Sequence, residues 1–233
     1  MKKIEGYQTN FEICIYAKKL LDKVIYLNSV VKVPPVGVLE VKKAIYYAKK
    51  YHGSQMRQSG EPFYSHPIEV AYMISDYLFR TDILVTSILH DTIEDTELTK
   101  EKILQEFGEN IANQVMDLTR IKEDGIKISS AEMVEILYKE KKHDVLLIKL
   151  FDRLHNMQTI GAKSPEKAQK IVNETVKTFL PLSIFLEVFK IEKILSRYCL
   201  NINCINYINY SITDDFQLPS LVLGNDLKQT YIL

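Results

Sequence analysis

Residues 87–96 of the chain read SILHDTIEDT and place an imidazole and a carboxylate, His90 and Asp91, side by side after an apolar run. On a helix, adjacent side chains point about 100° apart, so both can reach one point beyond the helix surface. Glu94 follows His90 by four positions and Asp95 follows Asp91 by four, which puts two more acids close by. The stretch predicts either a metal site with an acid–base pair or a core histidine beside a solvated acidic helix end.

The bulk composition excludes several classes of protein. The chain has 233 residues with 30 basic and 30 acidic side chains, so its net charge is zero. There is therefore no overall positive charge to attract nucleic acid or an anionic membrane surface. Three scattered cysteines suit a reducing compartment and no disulfide framework. Every apolar run is shorter than the roughly 18 residues that span a bilayer, and the first residues resemble no secretory signal. We therefore expect a cytoplasmic protein that binds neither nucleic acid nor membranes.

The pattern of apolar residues predicts an all-α fold of many helices. Glycine (8) and proline (7) are sparse and stand at apparent helix ends, such as Gly53 and Gly108. Ser129 with Glu132 forms a capping box that opens a helix. Pro67 suits the first position of another helix, which makes Ser65 or His66 its expected N-cap. The turn after residue 121 is compatible with one small hairpin near 122–128.

The domain organisation follows from changes in composition. Residues 1–36 are expected to be an N-terminal helical extension that ends in a proline-containing linker, and residues 37–199 the main domain. Residues 200–233 are rich in Asn, Ile and Tyr, and we expect a weakly ordered tail there.

The helix predicted at residues 145–160 carries a polar stripe. Lys149, Asp152, Asn156 and Thr159 recur at spacings of three and four, with His155 next to them. The stripe is equally compatible with a solvated face and with a functional one.

Two imidazoles and two carboxylates form a candidate metal-ligand set when these segments are combined. Such a set suits Mn²⁺, Fe²⁺ or Co²⁺ at least as well as Zn²⁺, because it has hard oxygen ligands and no thiolate. A divalent ion would lower the pKa of a bound water molecule, and Glu94 and Asp95 could orient that water and move its proton. The predicted ligands are His66, His90, Asp91 and Asp152.

Three segments of the chain resemble a known family. Residues 52–71 (HGSQMRQSGEPFYSHPIEVA), 87–96, and 148–159 (IKLFDRLHNMQT) are similar to motifs of the histidine–aspartate (HD) metal-dependent phosphohydrolases. Within that superfamily they resemble the hydrolase domain of the RelA/SpoT family, which degrades the stringent-response alarmones ppGpp and pppGpp. The resemblance covers roughly residues 41–195.

The resemblance implies an activity and a role for each matching residue. It implies a (p)ppGpp 3′-pyrophosphohydrolase that yields GDP or GTP and pyrophosphate, with Mn²⁺ or another divalent transition metal. The four ligands named above match the metal-binding positions, and Glu94 and Asp95 match the catalytic acids. His155 is expected to support the site through a hydrogen bond. The implied substrate-binding positions are Arg57, Gln58, Ser59, Asn156 and Thr159.

Four departures from the family pattern leave alternatives open. Gln58 stands where Lys is usual, Phe63 where Tyr is common, Arg120 where Lys is common, and Phe151 where Ala is usual. The enzyme could therefore hydrolyse another nucleotide, such as NADPH at its 2′-phosphate, or the chain could bind an alarmone without cleaving it. The residues after Tyr198 cannot form the nucleotide-synthesising domain of bifunctional members, so we expect a hydrolase-only or shortened member.

Overall fold

A computed structural model describes residues 14–120 and 127–201 of the chain. These residues form α-helices, one 3₁₀ turn (Ile160–Ala162) and one π-helical turn (Thr175–Phe179). The α-helices are α1 (Ile15–Val30), α2 (Val38–His52), α3 (Ser65–Ile74), α4 (Thr81–Leu89), α5 (Thr92–Asp95), α6 (Lys100–Phe107), α7 (Glu109–Leu118), α8 (Ser130–Lys139), α9 (His143–Gln158), α10 (Pro165–Glu174), α11 (Leu180–Phe185) and α12 (Phe189–Asn201).

The predicted all-α fold is confirmed. Among the residues described there is no β-strand, and an isolated antiparallel bridge joins Met56 to Pro62. No helix within residues 14–120 or 127–201 is long and apolar enough to cross a membrane.

The chain forms two compact units, and the division falls between Ile148 and Lys149. In the first unit, α4 is the central helix and packs against α2, α3 and α7, while α1 packs on α2 and α3. Every residue of α4 from Ile83 to Leu89 is buried, as its continuous apolar pattern predicts. Full burial of each such aliphatic side chain contributes about 1.5–3 kcal/mol, so this helix is a rigid support for His90, which follows it.

Several helix ends lie where the sequence places them. Gly53 and Gly108 end α2 and α6 with positive φ angles of 52° and 88°, a conformation that glycine adopts without steric cost. The Ser129–Glu132 capping box is confirmed by hydrogen bonds in both directions.

The predicted start of α3 was wrong. The helix begins at Ser65, so neither Ser65 nor His66 is its N-cap. The preceding loop is already turned: the Ser65 amide donates to the Pro62 carbonyl oxygen and the His66 amide to that of Phe63. These bonds start the helical turn two residues before Pro67, which places His66 inside it.

The second unit contains the last part of α9 with α10, the π-helical turn, α11 and α12. The buried Arg153 contacts both α10 and the π-helical turn of this unit. Its guanidinium lies 4.2 Å from the Phe179 ring centroid, donates to the Ile171 carbonyl oxygen and pairs with Glu174. Pro181 lies in the first turn of α11.

Some predictions fall outside the described residues. Of the hairpin predicted near 122–128, residues 122–126 lie outside the described residues. Of the tail predicted at 200–233, residues 202–233 do, while Leu200 and Asn201 end α12. Of the N-terminal extension, α1 and the residues after it are described. The domain bounds 1–36, 37–199 and 200–233 stay a prediction.

Candidate metal centre and acidic pair

The two histidines of the predicted metal centre come from different helices of the first unit and are both buried. His66 lies in the first turn of α3, and His90 directly follows α4. Their ring centroids are 5.4 Å apart. The Asp91 carboxylate reaches both rings, with Oδ2 3.6 Å from His66 Nε2 and Oδ1 3.1 Å from His90 Nε2. The fold therefore brings together residues that are 25 positions apart in sequence.

The hydrogen bond of His90 fixes which ring nitrogen can serve as a ligand. Nδ1 lies 2.7 Å from the Ser87 carbonyl oxygen, which only accepts, so Nδ1 carries a proton and donates. A neutral His90 then directs the Nε2 lone pair towards an oxygen of Asp91. This arrangement of ring nitrogen and carboxylate oxygen suits a metal ion between them. A backbone carbonyl on the opposite nitrogen is a common way to orient a metal-ligating histidine.

Asp152 is held by its neighbours on α9. Its Oδ2 accepts a hydrogen bond from Lys149 Nζ and its Oδ1 accepts one from Asn156 Nδ2, both at 2.7 Å. Lys149 and Asp152 are both buried, so for these two residues a solvated face is the wrong interpretation of the stripe. Phe151, the bulky departure from the family pattern, is buried as well.

A His/His/Asp group in the described residues suits a divalent metal ion. His66 and His90 each offer a ring nitrogen, and Asp152 on α9 offers a carboxylate oxygen. Imidazole nitrogen with carboxylate oxygen is a donor set for divalent transition metals. Asp91, beside both imidazoles, adds a further carboxylate.

Glu94 is the more enclosed of the two predicted catalytic acids, with 8% of its side chain exposed. It accepts hydrogen bonds from the Arg120 side chain, at 2.7 Å from Nη2 and 3.4 Å from Nε, and from the Arg120 backbone amide at 3.2 Å. Lys127 Nζ lies 2.5 Å from its Oε1. Burial alone would raise the pKa of Glu94, but the hydrogen bonds from Lys127 and Arg120 outweigh it and hold the pKa below its ordinary value.

Asp95 differs from Glu94 although it is the next residue. It is exposed, and its backbone carbonyl oxygen accepts a hydrogen bond from Gln55 Nε2 at 3.0 Å. Partial burial of the carboxyl group, followed by the negative charges of Asp91 and Glu94, raises its pKa to about 6. A carboxyl group with this pKa can exchange a proton near neutral pH.

Glu94 and Asp95 both line a cavity of about 600 Å³ in the first unit. A cavity of this size can accept a nucleotide-sized ligand. Its other lining residues are Lys50, Tyr51, Gln55, Thr96 and Glu97.

The predicted substrate-binding loop is a compact turn between α2 and α3. The Arg57 amide donates to the Glu61 carbonyl oxygen at 2.8 Å and its carbonyl accepts from the Gly60 amide at 3.0 Å. Gln58 and Ser59 are exposed, and the Ser59 hydroxyl lies 3.3 Å from Glu61 Oε2. Contact between these residues and a substrate stays a prediction.

The remaining predicted residues lie on or directly after α9. His155 is buried, and its carbonyl oxygen accepts a hydrogen bond from the Thr159 hydroxyl at 3.2 Å. Asn156 and Thr159 are partly exposed, as substrate contacts must be. The bond from Asn156 to Asp152 adds a positioning role that the resemblance did not assign to this residue.

Sequence reasoning missed several partners of these residues. Lys149 was in the stripe, and its spacing of three from Asp152 was a usable signal. Gln55 was missed as a link: its Oε1 lies 2.9 Å from His52 Nδ1, while its Nε2 donates to Asp95. Arg120 and Lys127 lie 26 and 33 positions after Glu94, and no local pattern indicates that they meet it.

Comparison with known proteins supports the resemblance. The chain is 40% identical over 155 residues to the GTP pyrophosphokinase rsh of Brucella ovis, covering 64% of this chain and 21% of that protein. It is 37% identical over 160 residues to the guanosine-3′,5′-bis(diphosphate) 3′-pyrophosphohydrolase of Aquifex aeolicus, covering 68% of this chain and 23% of that protein. The chain thus spans less than a quarter of the length of either relative.

The fold is also that of a solved structure. A metazoan ortholog of SpoT, which is described as hydrolyzing ppGpp, matches with a TM-score of 0.57 and 19% identity, over 73% of this chain and 98% of that one. The HD domain family model matches residues 44–188, which is more than half of the chain. This protein therefore belongs to the HD domain family and is homologous to RelA/SpoT proteins.

Proposed function

We propose that this chain is a divalent-metal-dependent hydrolase that removes pyrophosphate from the ribose 3′ position of ppGpp and pppGpp, leaving GDP and GTP. One observation carries the proposal most strongly. The buried pair His66 and His90 shares the Asp91 carboxylate, and four residues after His90 an acidic pair begins at a nucleotide-sized cavity. The sequence similarity to the Aquifex aeolicus hydrolase supports this choice of substrate class.

The proposed metal ligands are His66, His90, Asp91 and Asp152, and the proposed ion is Mn²⁺. Two nitrogen and two oxygen donors without a thiolate favour such an ion. When bound, it supplies Lewis-acid stabilisation of phosphoryl charge and activation of water. The Ser87 carbonyl oxygen orients His90 for this task, and Lys149 with Asn156 orients Asp152.

The proposed roles of the other residues follow from their positions. Glu94 and Asp95 act on the attacking water and its proton from the cavity wall. Arg57 contacts the guanine base, as the family resemblance implies, with Gln58, Ser59, Asn156 and Thr159 as further substrate contacts. His155 supports the last motif helix from its buried position. Net hydrolysis consumes one water molecule, breaks the bond between phosphorus and the 3′ oxygen, and leaves the proton on that oxygen.

The packing of Phe151 supports a competent site over an impaired one. The sequence raised the concern that this bulky residue displaces Asp152. Phe151 is buried, and Asp152 still has a hydrogen-bond partner on each carboxylate oxygen. The bulkier side chain is therefore accommodated without loss of the neighbouring carboxylate.

The test is an assay of the purified chain with ppGpp, in Mn²⁺ and in EDTA, read as released pyrophosphate. We expect turnover in Mn²⁺ only, and loss of turnover by at least about 100-fold in Asp91→Asn. Asp117→Asn is the matched control, because the Asp91 and Asp117 side chains have similar exposures of 24% and 22% and Asp117 pairs with Lys142 away from the histidines.

Three outcomes would contradict the proposal. One is the absence of pyrophosphate at saturating Mn²⁺. Another is release of phosphate from NADPH in preference to ppGpp, which would assign a different nucleotide. The third is thermal protection by ppGpp without any product, which would indicate a binding protein.

A further inference from the structure

Arg120 and Lys127, which stand on either side of residues 121–126, both contact Glu94. Arg120 comes shortly after α7, and Lys127 shortly before α8. The Ile128 amide donates to the Arg120 carbonyl oxygen at 2.9 Å, which brings the ends of this segment together. Both side chains then reach the same carboxylate, with contacts of 2.7 Å from Arg120 Nη2 and 2.5 Å from Lys127 Nζ.

The donors fill the acceptor capacity of Glu94. A carboxylate has about four lone-pair sites, two on each oxygen. Oε1 contacts Arg120 Nη2 and Lys127 Nζ, and Oε2 contacts the Arg120 backbone amide and Nε. A proton could bind Glu94 only by displacing one of these donors. The carboxylate is therefore both charged and fixed in orientation.

The two cations contact Glu94 without lining the cavity themselves. Glu94 is among the residues that line the cavity, whereas neither Arg120 nor Lys127 is. Nε and Nη2 of Arg120 and Nζ of Lys127 all contact the carboxylate. This arrangement favours an action through Glu94 over direct contact with substrate phosphates.

We infer that Arg120 and Lys127 are positioning residues, which hold the Glu94 carboxylate in place at the cavity wall for the hydrolytic step. The inference rests on the proposed function, because Glu94 has a catalytic role only if the chain is a hydrolase. It also makes the two acids unequal. Glu94 is a negative charge held by four donor contacts, so within the acidic pair Asp95 is the better placed group to take the proton, while Glu94 acts on the water through its charge.

The kinetic test compares Arg120→Gln and Lys127→Gln with the unaltered chain, using ppGpp and Mn²⁺. Because misplacement of a catalytic group acts on the chemical step, we expect kcat to fall by about 10- to 100-fold with KM changed less than about twofold. Arg120→Lys, which keeps the charge but loses the forked geometry, should recover part of kcat. Lys139→Gln is the matched control, because Lys139 pairs with Glu135 on an exposed helix face.

The outcomes separate positioning from other roles. A rise in KM at unchanged kcat would overturn the inference and make the cations substrate contacts. Equal losses of kcat in Lys139→Gln would also overturn it, because they would show a non-specific effect of surface charge. A selective loss of kcat with partial rescue by Arg120→Lys would support it.

A second measurement does not depend on activity. In a thermal double-mutant cycle, Arg120→Gln should lower Tm by a few degrees, about 2–4 °C, in the unaltered chain and by clearly less in a Glu94→Gln background. Equal losses in both backgrounds would contradict the pairing and overturn the inference. A chain that shows this coupling but never releases pyrophosphate would refute the proposed function, while the Glu94 contact would stand.

Discussion

At the scale of single residues, two adjacent carboxyl groups have opposite environments. Donors from Arg120 and Lys127 keep the pKa of Glu94 low despite its burial. Burial and neighbouring negative charge raise the pKa of Asp95 to about 6. Enzymes commonly divide acid–base roles between two carboxyl groups in this way. The donor contacts of Glu94 and the exposed position of Asp95 favour the same assignment, with Glu94 as a fixed charge and Asp95 as the group that exchanges a proton.

The pKa shifts predict opposite effects of two isosteric substitutions on the metal-free protein. Asp95 has a folded-state pKa above its ordinary 3.8, so its contribution to stability falls as pH rises from about 4 to about 6. Asp95→Asn should therefore stabilise the chain at pH 8 by about 1 kcal/mol, a value reduced because the residue is exposed. Urea unfolding in EDTA measures this gain, which should shrink as the pH is lowered towards 4.

Glu94→Gln is the paired variant and should act in the opposite direction. A lowered folded-state pKa means that the ionised group stabilises the fold above its ordinary pKa of 4.5. The substitution should cost about 1–3 kcal/mol at pH 8, because it removes the charged acceptor of the hydrogen bonds from Arg120 and Lys127. If both variants shift the urea midpoint in the same direction, the assigned environments are wrong.

At the scale of secondary-structure elements, the sequence predicted the ends of helices better than it predicted which side chains contact one another. Gly108 and the Ser129–Glu132 box act through residues at most four positions apart, so the sequence contains the whole cause. The start of α3 was mispredicted because the loop before Ser65 is turned by its own backbone bonds. The π-helical turn at Thr175–Phe179 carries no local signal that we recognised.

The candidate site shows the same limit. The residue types of His90, Asp91, Glu94 and Asp95 indicated a candidate site, but the stretch alone was also compatible with a core histidine beside a solvated acidic helix end. The pairing of Glu94 with Arg120 was not predictable, since the two lie 26 positions apart and meet only through tertiary packing. Arg120 was noticed only as a departure from a family pattern. Its physical role appears once its distance to Glu94 is known.

The capping box of α8 gives a prediction at the scale of one helix. Ser129 accepts from the Glu132 amide and Glu132 accepts from the Ser129 amide. Ser129→Ala should lower the free energy of unfolding by about 1 kcal/mol, measured by urea denaturation. Ser130→Ala is the control, because Ser130 is the first helical residue rather than the cap. A loss of the same size in both variants would show that the cap contributes nothing specific.

At the scale of the whole molecule, the proposed metal site would link metal binding to folding. The predicted ligands run from His66 to Asp152, so an unfolded chain has no preformed site and the ion binds the folded state. The net charge of the chain is zero. The proposed divalent cation and polyanionic nucleotide would therefore have to be attracted by local groups rather than by an overall field. For the proposed ion, these local groups would be the acids near His66 and His90.

This linkage predicts a thermal shift that requires no substrate. Mn²⁺ at 100 times its Kd should stabilise the fold by about 2.7 kcal/mol. For a chain of this size, that gain corresponds to a rise in Tm of roughly 5–10 °C, reversed by EDTA. Asp91→Asn should lose most of the shift because it removes a charged ligand, while Asp117→Asn, with a similarly exposed side chain, should keep it. An undiminished shift in Asp91→Asn would place the ion away from the paired histidines, since Asp91 contacts both of them.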